Sequence, residues 1–308
     1  MNIIDKKFNE LINEIKGKSL EEIYNNILIN FSSISSNIQD SLEDYFEKFN
    51  YWGKLKRKEG NYEELYNRAK SLKKHIDDYV WLYNNLKDYR SKKVLSAILL
   101  NWYNFDFETL NSSIEKNYPH YFDLDIIKCD KEEVIVDLGS YTGDSILDYM
   151  KYYGTNNYKR IYCYEITPES FNILKNNLSY YPNIKFVQKA ASDKEEKLYI
   201  NKNIIDNSAN IVDNNGDIEI DATTIDNDIK EKITMIKMDI EGSEQKALIG
   251  CTNHIKNDHP KLLISVYHNH EDLWKIPIMI RNISKDYDFY LRYYGNNIFP
   301  TEIVLLAI

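Results

Sequence analysis

The sequence is poor in cysteine, and the three cysteines that it has lie far apart. Cys129, Cys163 and Cys251 are odd in number and form no C-x-x-C pair. Disulfide frameworks and structural zinc sites need closely patterned cysteines, so this spacing argues against both. Such sparse cysteine usage is typical of proteins of the reducing cytosol, and we expect a cytoplasmic location.

Long apolar runs and an excess of positive charge are also lacking. No run approaches the ~20 apolar residues of a transmembrane helix, and Met1 to Lys7 lacks the apolar core of a signal peptide. Lysine and arginine number 39 against 48 acidic residues, which gives a net charge of −9. This balance argues against a nucleic-acid partner, because nucleic-acid binders usually carry a basic stripe. The basic run from Lys54 to Lys58 is the exception, and such a run is typical of a solvated helix face.

Proline is absent before Pro119, and all six prolines lie at or after that position. Apolar residues recur at helical spacing in this first part of the chain, over Phe8 to Ile15 and again over Leu72 to Leu86. Ser19 and Glu22 have the spacing of a capping box at a helix start. We therefore predict an all-helical region over residues 1–118, with four or five helices, and a catalytic domain over residues 119–308. This helical region is predicted to be a substrate cap, a homodimer interface or both. The alternative is a helical appendage that packs on the sheet domain.

The most informative stretch is an apolar run that ends in an acid and two spaced glycines. Val134 to Leu138 has the composition of a buried strand that ends in a loop, and a helix is predicted from near Asp144. Gly139 and Gly143 allow this loop to turn sharply and to approach a ligand closely. The spacing is neither a phosphate-binding P-loop nor a full G-x-G-x-x-G, which disfavours a ligand held through its phosphates. The loop suits a ligand without phosphate, such as S-adenosylmethionine (SAM).

A second predicted strand, Arg160 to Glu165, ends in an acid 26 positions after Gly139. In a βαβ nucleotide site, an acid at this place accepts hydrogen bonds from ribose hydroxyls. Glu165 is therefore the candidate ribose ligand. The alternative is a solvated glutamate that opens a loop before Pro168.

A third predicted strand, Ile184 to Gln188, is followed by the small residues Ala190 and Ala191. Small side chains at a strand end permit a flat ring to lie against the backbone. Gln188, Ala191 and Asp193 are therefore candidate neighbours of adenine, although such a turn is also ordinary loop chemistry.

A fourth predicted strand delivers two acids and a glycine. Ile233 to Met238 is followed by Asp239, Glu241 and Gly242, and a helix is predicted from Glu244. Ligands of open α/β sheets bind outside the carboxyl ends of parallel strands, so these acids are expected at the same crevice as the first glycine loop. Acids held this close favour a positive partner, such as the SAM sulfonium and amino group, a metal or another cation.

A fifth predicted strand, Lys261 to Tyr267, ends in His268 and His270. A strand-end histidine acts as a base near neutral pH or joins carboxylates as a metal ligand in some sites. The alternative is a histidine that is hydrogen-bonded for structural reasons. His268 is the stronger candidate of the two.

These motifs together resemble those of the FkbM family of SAM-dependent methyltransferases, over Val134 to the C-terminus. The matching segments are Asp137 to Ser145, Glu165 with Pro168, Ala190 to Asp193, Thr223 to Asp226, and Ile236 to Glu244 followed by Gly250. The segment Ile236 to Glu244 is the most specific, because the family typically has I-K-x-D-x-E-G-x-E there. Two departures are Ser140-Tyr141, where Ala-Asn is common, and Ile166-Thr167-Pro168, which replaces the usual Glu-Pro dipeptide.

The resemblance implies a Rossmann-like class I methyltransferase fold, with a mostly parallel seven-stranded sheet. It also implies SAM as the cofactor and a hydroxyl of a sugar or glycan precursor as the methyl acceptor, in bacterial surface-glycan modification. Motifs and resemblance together predict cofactor contacts at Asp137, Gly139, Ser140, Tyr141, Gly143, Asp144, Ser145, Glu165, Ile166, Gln188, Ala190, Ala191 and Asp239.

Transfer of a methyl group to an alcohol also requires removal of a proton from the acceptor. The candidate bases are Asp239 and His268, with Glu241 orienting one of them or the acceptor. A divalent metal held by Asp239, Glu241 and His268 is an alternative means of lowering the pKa of the hydroxyl. Other functional hypotheses are an amine acceptor, a secondary-metabolite acceptor, an NAD-dependent dehydrogenase on a similar fold, and a catalytically idle scaffold.

Overall fold

A computed structural model of the chain describes residues 1–49, 52–200, 216 and 218–308. The chain divides into two compact units. The first unit comprises Met1–Lys116, Val266–Met279 and Asp288–Leu305. The second unit comprises Asn117–Ser265, Ile280–Tyr287 and Leu306–Ile308. The functional division at residue 118 stays a prediction.

Helices dominate the N-terminal part of the first unit. Its described residues form seven α-helices: α1 Ile3–Gly17, α2 Leu20–Ser33, α3 Ser36–Lys48, α4 Glu63–Lys74, α5 Ile76–Asn85, α6 Tyr89–Asn104 and α7 Phe107–Asn111. The predicted capping box is present, because Ser19 Oγ accepts from Glu22 N while the Glu22 carboxylate accepts from Ser19 N. The faces that carry Phe8, Leu11 and Ile15 in α1 are buried, as the helical spacing predicts.

The structure has seven helices in this region rather than four or five, and a local break accounts for one of the additional helices. The apolar spacing from Leu72 to Leu86 predicts one continuous helix, but the structure ends α4 at Lys74 and begins α5 at Ile76. His75 stands between them with φ −114° and ψ 21°, outside the helical region. A one-residue break preserves the apolar spacing, so the pattern alone does not reveal it.

The basic run is also not on a helix face. Leu55–Lys56 (β1) pairs with Asn61–Tyr62 (β2) as a small antiparallel hairpin, joined by the 3₁₀ turn Arg57–Glu59. Arg57 forms ion pairs with Asp40 and with Glu43, whose Oε2 lies 2.7 Å from an Arg57 terminal nitrogen. The N-terminal region is therefore helical with one short hairpin, rather than all-helical.

A seven-stranded sheet forms the α/β part of the fold. The strands after the N-terminal region are β3 Val134–Leu138, β4 Arg160–Tyr164, β5 Ile184–Val187, β6 Ala190–Ala191, β7 Glu196–Ile200, β8 Ile218–Thr223, β9 Met235–Met238, β10 Lys261–Ser265, β11 Phe289–Tyr293 and β12 Ile303–Ala307. The sheet order is β11-β12-β10-β9-β3-β4-β5, and the pairings β10–β9, β9–β3, β3–β4 and β4–β5 are parallel. The predicted Rossmann-like class I methyltransferase fold is confirmed.

Helices follow the strands in the alternation that parallel sheets require. They are α8 Asp144–Tyr153, α9 Pro168–Leu178, α10 Ile225–Asp228, α11 Glu244–Ile249, α12 Thr252–Asp258 and α13 Asp272–Ile283. Strands β3 and β9 are buried along their whole length, which explains why their sequences are near-continuous apolar runs. Among the described residues, no helix combines the length and apolar character needed to cross a membrane.

A second sheet in the second unit has no counterpart in the prediction. Its three strands have the order β6-β8-β7, with β6 parallel and β7 antiparallel to β8. Ala190, Ile200, Ile220 and Ala222 form its buried apolar cluster. The two-residue strand β6 is too short to show an alternating pattern in the sequence.

Candidate active site at the strand ends

The loop after β3 is fixed by backbone contacts to the neighbouring strands. The N–H groups of Gly139 and Ser140 both donate to the Tyr164 carbonyl at the end of β4, at 3.0 and 2.9 Å. Asp239 N, at the end of β9, donates to the Leu138 carbonyl at 3.0 Å. The carboxyl ends of three neighbouring parallel strands are thereby tied together, as the sheet order predicts.

Gly139 is required by close backbone approach. Its φ is +77°, a conformation that side chains rarely tolerate. A Cβ at this position would lie 1.8 Å from the Asp239 carbonyl oxygen. The sequence analysis attributed this glycine to ligand approach, whereas in the structure the first need for it is the passage of β9 beside the loop.

Asp137 lies inside the sheet and is paired there. It is fully buried, and its Oδ2 accepts from Ser145 Oγ at 2.8 Å. The Lys237 ammonium lies 3.1 Å from Asp137 Oδ1. Burial raises the pKa of Asp137, although Lys237 and Ser145 act in the opposite direction. Its predicted contact with the cofactor stays a prediction.

Lys237 is a site residue to which the sequence analysis assigned no role. It faces Asp137 in the register of β3 and β9. Its Nζ also donates to the Gly139 carbonyl at 2.8 Å, so one ammonium group braces both the strand and the loop. Burial opposes its charge, yet the carboxylates of Asp137, Asp239 and Asp144 raise its pKa. The available signal was a lysine within an otherwise apolar buried strand, which needs a charged partner.

Glu165 is held at the end of β4 with both carboxylate oxygens placed. Oε2 accepts from Tyr141 N at 2.9 Å, and Oε1 accepts from Thr167 N at 2.7 Å. Its residue is only 7% exposed. Burial raises the pKa of Glu165 despite these two donors. A solvated, unattached glutamate, the alternative in the sequence analysis, does not fit this geometry.

The remaining loop residues surround this frame. Ser140 is buried and donates from Oγ to the Asp137 carbonyl at 2.9 Å. Tyr141 is 38% exposed and has φ +46°. Gly143, with φ +90°, precedes α8, and the exposed Asp144 opens that helix.

The residues predicted near adenine differ in exposure. Gln188 is exposed after β5, whereas Ala190 and Ala191 are buried in β6. Ala190 belongs to the apolar cluster of the three-stranded sheet, against which Ile166 packs. Small size at these alanines therefore serves packing within the second unit, and their cofactor contact stays a prediction.

Asp239 carries a hydrogen bond from a residue far upstream. The Tyr121 hydroxyl donates to Asp239 Oδ2 at 2.6 Å and lies 3.2 Å from Ser265 Oγ. Tyr121 is 4% exposed with φ +68°, and the Lys237 ammonium lies 5.2 Å from its ring centroid. The sequence analysis assigned Tyr121 no role. Nothing local in the sequence shows that it reaches Asp239.

His120 stacks on Tyr121, with ring centroids 4.0 Å apart. Burial lowers the pKa of His120 to about 4, although the charge of Asp239 opposes this shift. The imidazole is therefore neutral near pH 7 and supports the phenol ring without adding a charge beside Lys237.

Two further acids follow β9. Glu241 is partly exposed and has φ +55°. Glu244 is fully buried, and its Oε1 accepts from Ile240 N at 2.8 Å. One ligand oxygen of Glu244 lies within 4.8 Å of one of Asp239. Glu244 thus joins Asp239 as a carboxylate near the end of β9, which the sequence analysis did not assign.

His268 follows β10 and is 1% exposed. It belongs to the first unit, in the segment Val266–Met279. Its predicted roles as a base and as a metal ligand stay predictions, as does the role of Glu241.

Comparison with known proteins identifies a family whose model matches the chain. A family model described as the methyltransferase FkbM domain matches residues 137–296, just over half of the chain. No curated protein matches the chain significantly.

Among solved structures, the chain is similar to the methyltransferase FkbM from Methylobacillus flagellatus KT. The TM-score is 0.65 at 24% sequence identity, over 78% of this chain. The alignment spans 62% of that protein's length. This likeness shows a shared fold.

Two more distant structures also match. An rRNA methylase from Streptococcus thermophilus has a TM-score of 0.37 and 13% identity, over 58% of this chain and 87% of that one. A fibrillarin from Aeropyrum pernix, solved with natively bound SAM, has a TM-score of 0.37 and 12% identity, over 58% of this chain and 67% of that one.

Proposed function

The chain belongs to the FkbM methyltransferase family, and on this premise we propose that it transfers a methyl group from SAM to a hydroxyl of a sugar or glycan precursor. The resemblance to the family in the sequence is confirmed by the family model. The observation that carries the proposal is the set of strand ends: the glycine loop after β3, Glu165 after β4 and Asp239 after β9 are held together by hydrogen bonds. We further propose that the acceptor belongs to bacterial surface glycans.

Glu165 fits the role of ribose ligand. A carboxylate has about four acceptor positions, and the two N–H donors at Glu165 use one on each oxygen. The Thr167 side chain also interacts with this carboxylate, and we propose that the remaining acceptor capacity serves the ribose hydroxyls. When bound, SAM supplies a methyl group on a positively charged sulfur, which is a good leaving group.

The residues around Glu165 are proposed to hold the rest of the cofactor. The loop from Gly139 to Ser145 would contact the methionine part, and Ile166, Gln188, Ala190 and Ala191 would lie beside adenine. Asp137 stabilises this loop, because it accepts a hydrogen bond from Ser145 and forms an ion pair with Lys237. Its negative charge is balanced by the lysine, so it is a supporting group more than a direct ligand.

Asp239 is proposed to orient the acceptor hydroxyl and to take its proton. The Tyr121 hydroxyl donates to Asp239 Oδ2 and thereby fixes the orientation of the carboxylate. A positioned base contributes about 10²–10⁴-fold to the rate of such a reaction. His268 and Glu241 are proposed as the second base candidate and the orienting acid. A divalent metal at Asp239, Glu241 and His268 is the alternative to direct proton transfer.

A methyl-transfer assay tests the activity. The purified chain is incubated with SAM labelled on the methyl group and with a panel of nucleotide sugars and surface-glycan fragments. We expect label in one acceptor class, and a loss of about 10²-fold or more in turnover for Asp239→Asn and for His268→Ala. Glu132→Gln, at an exposed acid of the second unit outside the motifs, is the matched control. Full turnover in both Asp239→Asn and His268→Ala would overturn the assignment of the base.

A further inference from the structure

A polar pocket lies within the first unit. It has a volume of about 590 Å³. We define the polar pocket by six of its lining residues: Trp52, Lys54, Asn61, Glu63, Asn67 and His270. Five of these six are polar or charged, so the pocket differs from the apolar interior that surrounds it.

The polar side chains are fixed by contacts to backbone atoms. Asn67 Nδ2 donates to the Trp52 carbonyl at 3.1 Å, and Glu63 Oε2 accepts from Lys54 N at 3.1 Å. Asn61 Oδ1 accepts from Glu63 N at 3.1 Å. Within the described part of the chain, Asn67 Oδ1, Glu63 Oε1, Asn61 Nδ2 and Lys54 Nζ make no further hydrogen bond. The side chains of Asn61, Glu63 and Asn67 thus have fixed positions, and Lys54 adds an exposed ammonium group.

His270 adds a buried imidazole to the wall. It is 8% exposed, and its Nε2 lies 3.7 Å from the Glu64 carboxylate. Its ring is held against Trp52, with centroids 3.8 Å apart, and its carbonyl accepts from Tyr79 and Ser71 hydroxyls. Burial lowers the pKa of His270, although Glu64 opposes the shift. A neutral imidazole offers one donor and one acceptor.

The charge behind the pocket is balanced. Glu64 is fully buried, and its Oε1 accepts two hydrogen bonds from the fully buried Arg68, at 3.0 and 2.7 Å. The pocket wall itself carries one cation, Lys54, and one anion, Glu63. A strongly charged ligand would gain little here, whereas a neutral ligand with several hydroxyls would match the mixture of donors and acceptors.

We propose that the polar pocket binds a neutral sugar residue. Sugar hydroxyls both donate and accept, which matches two amides, a carboxylate, an ammonium and an imidazole within one cavity. Gly53, with φ +102°, lets the chain turn between Trp52 and Lys54, and a Cβ there would lie 2.9 Å from Asn67 Nδ2 and from Glu63 Cγ. The pocket is therefore a built site that depends on close packing. The proposal goes beyond methyl transfer and does not rest on it.

Saturation-transfer NMR with simple glycosides tests the proposal. The probes are the methyl α-glycosides of glucose, galactose, mannose and rhamnose, each at millimolar concentration and without SAM. We expect saturation of at least one probe by the wild-type chain. We expect the affinity for that probe to fall about tenfold in Lys54→Ala and in Asn67→Ala, because each variant loses one hydrogen-bonding group of the pocket wall.

Lys70→Ala is the matched control, since Lys70 is an exposed lysine of α4 outside the pocket wall. Lys54→Ala removes an ammonium group without a hydrogen bond in the described structure, so it tests binding without a cost to folding. Absence of saturation for all four probes, or equal binding by wild type and Lys54→Ala, would overturn the proposal. SAM titration of Lys54→Ala is expected to match wild type, which separates this result from a failure of the methyltransferase proposal.

Discussion

Each of the two compact units contains a buried ion pair, and the two pairs are built differently. Glu64 and Arg68 lie one helical turn apart on α4, with 2.7 Å between their charged atoms. Asp137 and Lys237 lie on neighbouring parallel strands, 100 positions apart in the sequence and 3.1 Å apart in space. The first pair forms wherever α4 forms, whereas the second requires the sheet to be assembled in register. The second pair therefore ties the candidate active site to the completed fold.

The two carboxyl groups also respond differently to burial. Burial dominates at Asp137 and raises its pKa. At Glu64, burial also opposes ionisation, but the charge of Arg68 and the interaction with His270 outweigh it and lower the pKa. Two charged hydrogen bonds from one arginine compensate the buried carboxylate of Glu64 better than a single lysine contact compensates that of Asp137.

The largest expected effect concerns the second unit, where residues far apart in the sequence lie in contact. Gly139→Ala would place a Cβ 1.8 Å from the Asp239 carbonyl oxygen, so the loop after β3 has to move away from β9. We expect a loss of about 4 kcal/mol or more in the free energy of unfolding, measured by urea denaturation. Gly60→Ala is the control in the first unit, because its φ is +65° but nothing lies near the added Cβ. The control is expected to cost about 1–3 kcal/mol, the strain of a left-handed residue; equal losses would refute the steric argument.

Removal of the cations compares the two pairs directly. Lys237→Met and Arg68→Met each leave a buried carboxylate without its partner, and each is expected to cost about 3–5 kcal/mol of stability. Only Lys237→Met also removes the hydrogen bond to the Gly139 carbonyl. We therefore expect weaker SAM binding by calorimetry in Lys237→Met than in Arg68→Met. Similar SAM affinities in the two folded variants would show that the lysine does not support the loop.

Opposite pH dependence is expected for the two acids. The pKa of Asp137 is higher in the folded chain than in the unfolded chain, so an ionised Asp137 reduces stability. This loss of stability is relieved as the pH falls toward 3.8, the ordinary pKa of the group. The pKa of Glu64 is lower in the folded chain than in the unfolded chain. Its contribution to stability is therefore fully present above pH 4.5, the ordinary pKa of the group, and is lost as the pH falls further. Relative to Asp137→Asn, wild type should therefore gain stability with falling pH. Relative to Glu64→Gln, it should lose stability. Urea denaturation from neutral pH down to pH ~3 gives both slopes, and slopes of the same sign would contradict the assigned directions.

The smallest expected change concerns the support of Asp239. Tyr121→Phe removes the hydroxyl that donates to Asp239 Oδ2 and keeps the ring beneath His120 and Lys237. We expect kcat to fall about tenfold with little change in KM for SAM, because one hydrogen bond contributes about 1 kcal/mol. Tyr153→Phe, which loses a hydrogen bond to the Ile127 carbonyl in the same unit, should keep its kcat. If the two variants behave alike, Tyr121 is only a structural residue.

The sequence predicted those parts of the fold that are coded locally. Apolar runs that end in glycines or acids identified β3, β4, β5, β9 and β10 together with their loops. The rule for parallel strand ends then brought Gly139, Glu165 and Asp239 to one edge of the sheet. These signals lie within about ten residues of chain, where the period of the strand and the turn chemistry act directly.

The rest depends on register and on distant contacts. The partner of Asp137 is set by which residue of β9 lies beside it, and that register is not visible in either strand alone. Tyr121 reaches Asp239 across 118 positions, from a stretch without a regular pattern. The break at His75 keeps the helical spacing on both sides, so periodicity cannot detect it. Short strands such as β6 and the hairpin of β1 and β2 give too few residues for an alternating pattern.

The most direct test of the central claim is calorimetric titration of the purified chain with SAM and with S-adenosylhomocysteine. We expect micromolar binding by wild type and about 10²-fold weaker binding by Glu165→Gln, because that variant loses the charged acceptor proposed for the ribose hydroxyls. Glu169→Gln, an exposed acid in the first turn of α9, should bind like wild type. Binding of neither ligand by the folded wild-type chain would contradict a SAM-dependent methyltransferase.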